Sequence, residues 1–384
     1  MRRVGIIGTG HTRFGAREDA SVQELAFEAY REAIEDARIE PDRIEASWIA
    51  AVPEYHQQRS IAGVVQEYLG LNPKPTWLTE AACASGSAAL YSAWTALQAG
   101  LYEVVVVVGC QKMTELSTAE ILALMGRVGD VQWESVFGTT FPGYYALFAR
   151  QHMQRYGTTA EQLAAVAVKN HYYGTQNPKA MFRKPASLEK VLASAPVADP
   201  LKVFDCCANA DGAACVILAA EERARQLSSR PVWLDGLGAA TAPMSVLRRD
   251  ELCSLPSARI AANQAYQMAE ITPSHIDVAE VHDCFTIAEI LAYEDLGLCP
   301  RGEGGLFVED RQTYIGGTVA VNVDGGLKAK GHPIGATGVS MTHEIVRQLR
   351  GECGERQVPE ARVGLTHNVG GIGQYCFVNV LRRD

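Results

Sequence analysis

Residues 80–89 place a cysteine, Cys83, between an apolar segment and a run of small residues that predicts a helix. A cysteine at the start of a helix has its thiolate favoured by the helix dipole and by unpaired backbone N–H groups. The alanine, serine and glycine neighbours would let a carbonyl group approach the sulfur. Cys83 is therefore a candidate nucleophile, although taken alone it is more typical of a buried apolar side chain.

A second candidate, His332, lies in a loop with five glycines, residues 322–338. Glycine permits backbone angles that other residues avoid and lets a ligand come close. His332 stands between Gly331 and Pro333, which would hold its ring in one orientation. An imidazole there could accept the proton of a thiol and then donate a hydrogen bond to an acyl oxygen. Together with Cys83 it indicates nucleophilic catalysis.

Two further motifs, residues 282–285 and 367–373, follow predicted strands. His282 and Cys284 in the first could supply a hydrogen-bond donor and a general acid or base. The glycines of the second would let backbone N–H groups point into a site. No short spacing typical of metal ligands joins these residues, so the sequence predicts no metal site.

The other cysteines and histidines indicate packing rather than chemistry. The ten cysteines contain no CxxC pair, which argues against a zinc knuckle or a thioredoxin-like motif. Residues 8–13 resemble a dinucleotide-binding loop but end in Arg13, so no nucleotide cofactor is predicted. We assign the following to the core or the surface: His56, His152, His171, His275, His343, Cys206 and Cys207.

Composition narrows the function classes. The 384 residues carry 35 Lys and Arg against 44 Asp and Glu, a net charge of −9, which argues against binding to nucleic acid or to an anionic membrane. No apolar run approaches the ~18 residues of a membrane span, and the N-terminus does not resemble a signal peptide. Reduced thiols are typical of the cytoplasm, where we expect the protein.

Short apolar blocks alternate with helical periodicity, which predicts an α/β protein. Ser21 and Glu24 have the spacing of a capping box, and Val104 to Val108 show no polar alternation, as is typical of a strand buried on both faces. In the first half we predict strands at 4–7, 44–52, 75–78 and 104–108 and helices at 21–39 and 85–99. In the second half we predict strands at 232–237, 276–281, 318–323 and 362–366 and helices at 261–271 and 338–349.

Because the order of elements recurs, we predict two copies of one βαβ-type unit, residues 1–230 and 231–384, with loops from both halves around one cleft. Residues 111–198 interrupt the first half and are rich in aromatic side chains. This insertion suits a lid or a substrate pocket, and equally plain packing or an oligomer contact. Thr158 and Glu161 have the spacing to cap a helix inside it.

With four motifs in order, the sequence resembles the thiolase superfamily over essentially its full length. Within it, the chain is similar to the sterol-carrier-protein-type thiolases and the archaeal acetoacetyl-CoA thiolases. The resemblance implies a duplicated five-layer αβαβα fold with an inserted loop region. It rests on residues around Cys83, 282–285, 331–333 and 365–371, with further likeness at 182–184 and 197–201.

The resemblance also implies roles for these residues. Cys83 would take the acyl group, and His332 in the supporting loop after Gly331 would activate it. Other thiolases carry a second cysteine where this chain has Asn368, and in this branch Cys284 is expected to move the α-proton instead. His282 would replace the asparagine that organises one oxyanion hole. The N–H groups of Cys83 and Gly370 would form the other.

The implied enzyme is an acetyl-CoA C-acyltransferase that makes or cleaves a 3-oxoacyl-CoA, such as acetoacetyl-CoA, through an acyl-cysteine. Coenzyme A is then a substrate, and no metal, flavin or nicotinamide is required. The resemblance implies a homodimer or a dimer of dimers, and the branch suggests a small partner with a zinc ribbon and an OB fold. A retro-aldolase, or a silent subunit that binds acyl-CoA or lipid, remains the alternative.

Overall fold

The computed structural model describes residues 2–384 of the chain. The strands are β1 (Val4–His11), β2 (Ala46–Ala50), β3 (Thr76–Thr79), β4 (Val104–Gln111), β5 (Pro196–Ala198), β6 (Leu201–Lys202), β7 (Gly212–Ala220), β8 (Val232–Thr241), β9 (Val278–Val281), β10 (Ala320–Val321), β11 (Val363–Gly370) and β12 (Tyr375–Arg382). The helices are α1 (Val22–Ala37), α2 (Ile61–Tyr68), α3 (Ser85–Gln98), α4 (Thr118–Met125), α5 (Phe141–Tyr156), α6 (Ala160–Gln176), α7 (Leu188–Leu192), α8 (Glu221–Leu227), α9 (Pro256–Ala269), α10 (Thr286–Asp295), α11 (Gly304–Glu309), α12 (Gly326–Ala329) and α13 (Thr337–Arg350).

The strand order repeats in the two halves. The first half runs β1-β7-β4-β2-β3 and the second runs β8-β12-β11-β9-β10. In each half the first two pairings are antiparallel and the last two are parallel. The halves meet where β1 pairs antiparallel with β8, so all ten strands form one continuous sheet. The predicted duplication of one unit is confirmed by this order.

Helices fill the layers on and between the two halves. Helix α1 lies on β1 and β7 at one outer face, and α9 lies on β8 and β12 at the other. Helices α3 and α13 pack on each other and on strands of both halves, which makes them the central layer. The result is the predicted αβαβα arrangement. Strand β4 is buried along its whole length, as its unbroken apolar sequence predicts.

The two predicted helix caps had different outcomes. Ser21 and Glu24 form the capping box at the start of α1. The prediction for Thr158 and Glu161 is wrong by one residue, since Thr159 has the extended backbone of a cap and forms the box with Gln162. The Thr158 hydroxyl instead lies 2.7 Å from Nδ1 of the buried His152.

The insertion at 111–198 is largely helical. It contains α4 to α7, and α6 packs on α10, α11 and α12 of the second half. Trp133 and Phe137 are 64% and 78% exposed, so part of its aromatic content faces outward. In the described residues 2–384, no helix combines the length and the apolar character that crossing a bilayer requires.

Candidate active site

The loops at equivalent positions of the two halves bring Cys83 and His332 together. Cys83 lies in the short turn from β3 to α3, and His332 lies in the second half of the longer loop from β10 to α13. His282 follows β9, beside them. One ligand-type atom from each side chain, Cys83 Sγ and a ring nitrogen of each histidine, lies within 4.8 Å of the others, and all three side chains are buried.

Burial keeps the Cys83 thiol protonated, whereas the position of Cys83 before a helix predicts a thiolate. Burial in apolar surroundings raises the pKa of the Cys83 thiol to about 12, although the N–H groups of Gly371 and of Cys83 itself lower it. Burial therefore opposes the predicted effect of the helix start in the unliganded site. Loss of hydration outweighs the two N–H donors, so the resting side chain is a thiol.

Hydrogen bonds fix the proton on the His332 ring. The Thr337 hydroxyl donates to the Pro333 carbonyl at 3.0 Å, so its oxygen accepts from His332 Nδ1–H at 2.7 Å. Nε2 then carries the lone pair, and among residues 2–384 it has no hydrogen-bond partner. Burial and the charge of Lys330 lower the pKa of His332 to about 3. The ring is thus a neutral base that faces a thiol.

Asn368, at the end of β11, connects Cys83 with His282. Its Nδ2 lies 3.1 Å from the Cys83 carbonyl oxygen and 3.2 Å from His282 Nδ1. The rings of His282 and His332 are 5.0 Å apart and almost perpendicular. Burial and the neighbouring histidines lower the pKa of His282 well below its ordinary value, so this ring is neutral as well.

Cys284 lies on the far side of the site and is fully buried. Burial raises the pKa of its thiol well above the ordinary value, and a hydrogen bond with the Tyr145 hydroxyl counters part of that rise. Tyr145 comes from the insertion, stacks on Phe285 at 4.6 Å and donates to the Gly371 carbonyl oxygen at 3.1 Å. One buried tyrosine therefore contacts the Cys284 loop and the glycine turn at 370–373.

A buried carboxylate fastens the His332 loop to the His282 loop. Asp283 accepts hydrogen bonds from the N–H groups of Leu327 at 2.7 Å and Lys328 at 3.1 Å, and from Asn170 at 2.8 Å. Burial and the charge of Glu289 raise the pKa of Asp283 to about 7. The loop also needs left-handed backbone just before His332, and Gly331 supplies it at a φ of +110°.

Two cavities flank this cluster. Cys83 lines one of about 310 Å³, whose walls include apolar side chains of the insertion such as Leu124 and Phe141. The other, of about 420 Å³, lies beside Lys328 and Cys206. It combines aromatic and basic groups, namely Phe182, Phe204, Arg183, Lys184 and Lys190. An apolar chain suits the first cavity, and an anionic group with an aromatic ring suits the second.

Family comparison decides the class to which this site belongs. The model of the thiolase N-terminal domain matches residues 4–222, more than half of the chain, and a thiolase C-terminal domain-like model matches residues 238–383. The chain belongs to the thiolase family. The family that the four motifs predict is confirmed, and the site described above is the candidate active site of this thiolase.

Individual relatives agree with this assignment. An acetyl-CoA acetyltransferase of Methanothermobacter thermautotrophicus is 42% identical over 385 residues, which is all of both chains. Sterol carrier protein 2 of Oryctolagus cuniculus is 35% identical, over 96% of this chain and 70% of its own. The solved Ltp2-ChsH2(DUF35) aldolase has a TM-score of 0.86 and 28% identity, covering 100% of this chain and 98% of that one. The protein is thus an acyltransferase of the thiolase type.

Other parts of the candidate site carry no distinctive motif in the sequence. Tyr145 was one aromatic residue among many in the insertion, and no local pattern distinguished it. Cys207 was assigned to packing, yet its N–H donates to the Cys284 carbonyl oxygen at 2.9 Å, and the next carbonyl, of Ala208, accepts from His332 N–H at 3.0 Å. The segment thus supports both loops, and only the tertiary fold reveals this.

The last predicted site residue, Gly370, packs against the turn of Cys83. A Cβ atom at Gly370 would lie 2.3 Å from the Ala81 carbonyl oxygen, so only glycine allows this approach. The amide that contacts the Cys83 sulfur belongs to the next residue, Gly371. The oxyanion hole of Cys83 and Gly370 stays a prediction, as does the expectation that no metal is needed.

Proposed function

We propose that this thiolase cleaves or forms a 3-oxoacyl-CoA, such as acetoacetyl-CoA, with Cys83 as the residue that carries the acyl group. The observation that supports this most directly is the meeting of Cys83 Sγ with one nitrogen each of His282 and His332 within 4.8 Å, beside a cavity. A thiol opposite a neutral imidazole with a free lone pair is the arrangement of an activated nucleophile.

In cleavage, Cys83 Sγ attacks the 3-oxo carbon while His332 Nε2 accepts the thiol proton. The N–H groups of Cys83 and of the turn at 370–371 donate to the oxygen that gains the negative charge. When that oxyanion collapses, the bond between C2 and C3 breaks and its electron pair becomes the enolate of acetyl-CoA. The acyl group remains on Cys83, and a second coenzyme A then removes it as a new thioester.

Cys284 and His282 act on the enolate in this proposal. Cys284 donates its thiol proton to C2, and the resulting thiolate takes the thiol proton of the coenzyme A that then attacks the acyl-Cys83. When the reaction runs in reverse, Cys284 removes the proton from C2. His282 donates a hydrogen bond to the thioester oxygen, on which the enolate charge accumulates. When the Cys284 thiolate forms, the Tyr145 O–H turns from the Gly371 carbonyl oxygen to the sulfur beside it and stabilises the thiolate.

Coenzyme A is the proposed second substrate, with its nucleotide in the basic cavity. Arg183, Lys184 and Lys190 offer three positive charges for phosphates, and Phe182 and Phe204 offer faces on which an adenine could stack. In this proposal coenzyme A is a substrate rather than a resident cofactor. No nicotinamide, flavin or metal enters any step.

Mass spectrometry with peptide mapping tests the function. Purified protein is incubated with acyl-CoA and 3-oxoacyl-CoA thioesters and compared with Cys83→Ala and Cys284→Ala. We expect one acyl group on Cys83 in the wild type and in Cys284→Ala, none in Cys83→Ala, and turnover in the wild type alone. Cleavage that persists in Cys83→Ala without acylation would support a retro-aldolase, and thioester binding without either reaction would support a silent subunit.

We further propose a homodimer in the cytoplasm with a small partner protein. Strand β3 ends the sheet and exposes Trp77 and Leu78, so a second copy could pair with this edge.

The structural relative named with a DUF35 component supports a partner, and the exposed Trp133 and Phe137 offer an apolar surface for it. All ten cysteines lie within residues 2–384 as free thiols, which suits a reducing compartment. Light scattering of the purified chain tests the homodimer, because it gives the mass of the particle and hence the number of copies of this chain in it.

A further inference from the structure

Asn368 makes two contacts through one atom, and these constrain the neighbouring histidine. Its Nδ2 lies 3.1 Å from the Cys83 carbonyl oxygen and 3.2 Å from His282 Nδ1. A carbonyl oxygen can only accept a hydrogen bond, so the atom that faces it must be the NH₂ group of the amide rather than its oxygen. The second N–H of that group then points at His282 Nδ1.

A ring nitrogen that accepts a hydrogen bond carries no proton. His282 is neutral because burial disfavours its charged form, so its single ring proton must lie on the other nitrogen, Nε2. His282 Nε2 is buried and has no hydrogen-bond partner among residues 2–384. An unpartnered N–H group therefore belongs to a ring that has one of its nitrogens within 4.8 Å of the Cys83 sulfur.

The neighbouring histidine has the opposite arrangement. Thr337 accepts a hydrogen bond from His332 Nδ1–H, which leaves a lone pair on His332 Nε2. The two rings are 5.0 Å apart and present one donor and one acceptor to the site. We propose that Asn368 is a positioning residue that sets the tautomer of His282, and thereby makes His282 a hydrogen-bond donor to the reacting oxygen.

The consequence for the reaction rests on the proposed function. A thioester oxygen that gains negative charge is stabilised by N–H and repelled by a lone pair, so the wrong tautomer of His282 would turn stabilisation into repulsion. Acylation of Cys83 by a simple acyl-CoA expels the coenzyme A thiolate and forms no enolate, so it uses His332 and the backbone N–H groups instead. A change of tautomer at His282 should therefore slow formation or protonation of the enolate and spare acylation.

Replacement Asn368→Asp tests this assignment. A carboxylate donates no hydrogen bond, and a protonated carboxyl group donates one, so neither can donate to Cys83 and His282 together. The remaining oxygen would accept from His282 Nδ1–H. Nitrogen-15 NMR of protein labelled at its nine histidines reports which ring nitrogen bears the proton, with His282 assigned from the spectrum of His282→Asn.

The expected wild-type spectrum has the proton of His282 on Nε2 and that of His332 on Nδ1. In Asn368→Asp the proton of His282 should move to Nδ1, and kcat should fall about 100-fold, as for loss of one oxyanion donor, with KM within threefold. The rate of Cys83 acylation by acetyl-CoA, which forms no enolate, should stay within threefold. Asn368→Leu, which removes donor and acceptor together, should show both tautomers and a smaller loss.

A buried carboxyl group could also disturb the sheet, and Asn379→Asp controls for that. Asn379 lies on β12, is fully buried and donates to Thr366 on β11, away from Cys83. It should destabilise the fold like Asn368→Asp but keep the His282 tautomer and kcat. Wild-type protein with its His282 proton on Nδ1, or Asn368→Asp with the proton still on Nε2, would overturn the assignment. Absence of Cys83 acylation in the wild type would overturn the proposed function and leave the tautomer result standing.

Discussion

The turn that carries Cys83 and the loop that carries His332 occupy the same position in the two repeats, yet they are supported differently. The Cys83 turn is five residues long and is held mainly by its own residues and the first residue of α3, since the Ser85 hydroxyl accepts from Ala81 N–H at 2.9 Å and donates to the Ala82 carbonyl. Asn368 adds one contact from outside, at the Cys83 carbonyl. The His332 loop is three times as long. It is held from outside, by Asp283 and by Asn177, whose Nδ2 donates to the Asp324 carbonyl at 2.8 Å.

This difference follows from what each residue must do. A nucleophile needs only its reacting atom held in place, and a short turn at the start of a helix holds it. A base also needs a defined tautomer and ring orientation, which require partners for the other nitrogen and a fixed backbone around it. The second repeat therefore concentrates buried polar contacts around its loops.

The largest effect concerns the reactivity of Cys83 without substrate. Because its pKa is raised to about 12 and that of His332 is lowered to about 3, the resting pair is neutral across physiological pH. The rate of alkylation of Cys83 by iodoacetamide should therefore rise about tenfold per pH unit, about 1000-fold from pH 7 to pH 10. Peptide mapping separates Cys83 from the other cysteines.

His332→Asn provides the control. The variant should be alkylated at the wild-type rate, since His332 accepts the proton only during acyl transfer, whereas acylation by a thioester should be strongly slowed. A plateau of the alkylation rate below pH 8 would instead indicate a resting pair of thiolate and imidazolium. In that case the turn itself, and not the base, would activate the sulfur.

The fold and the four central residues of the candidate site could be predicted from the sequence because local patterns indicate both. Unbroken apolar blocks such as Val104 to Val108 mark central strands, and the recurring order of elements revealed the duplication. Cys83, His282, Cys284 and His332 each stand in a distinctive motif beside a predicted strand or helix end. Parallel strands bring such ends together at one edge of a sheet, so their convergence follows from topology.

The remaining features depend on contacts between distant residues. Tyr145 reaches Cys284 from the insertion, and no spacing in the sequence indicates that pairing. The thiol state of Cys83 depends on how completely the fold excludes water from it, which a local helix-start pattern cannot report. The helix cap at Thr159 differs from the predicted one by a single residue, because two adjacent threonines are equally suited to it by type.

A smaller effect is expected from the contact that fixes the His332 ring. Thr337→Val keeps the shape but removes the hydroxyl that accepts from His332 Nδ1–H at 2.7 Å. The ring could then place its proton on Nε2, where it cannot act as a base, so the rate of Cys83 acylation should fall about tenfold, at the lower limit for such supporting contacts. Thr337→Ser restores the hydroxyl and should recover most of the rate. Equal losses in both variants would assign the effect to packing.

The smallest effect on turnover, and the sharpest comparison of the two halves, concerns two buried aspartates. Asp283 fastens the His332 loop, while Asp211 in the first half accepts from the N–H groups of Thr114 at 2.8 Å and Arg17 at 3.0 Å, remote from Cys83. Replacement of either aspartate by Asn turns one hydrogen-bond-accepting carboxylate oxygen into a donating NH₂ group. Each replacement should lower the free energy of unfolding by about 1–3 kcal/mol. Only Asp283→Asn should also lower kcat, by about threefold.

The pH dependence of stability should separate the two aspartates further. Burial and Glu289 raise the pKa of Asp283 to about 7, so the folded state holds its proton more tightly than the unfolded chain, and this carboxyl group weakens the fold as pH rises from about 4 to 7. Asp211 shows the opposite shift. Burial alone would raise the pKa of Asp211, but hydrogen bonds with Thr114 and Arg17 and the charge of Lys112 lower it below the ordinary value. The Asp211 carboxylate therefore stabilises the fold above about pH 4, and this stabilisation is lost as the pH falls further. Urea midpoints of the wild type and both Asn variants, measured from pH 3 to 8, should therefore diverge in opposite directions. Parallel curves would mean that the carboxyl groups of the two halves are equivalent, and the supports of the His332 loop would then be ordinary packing.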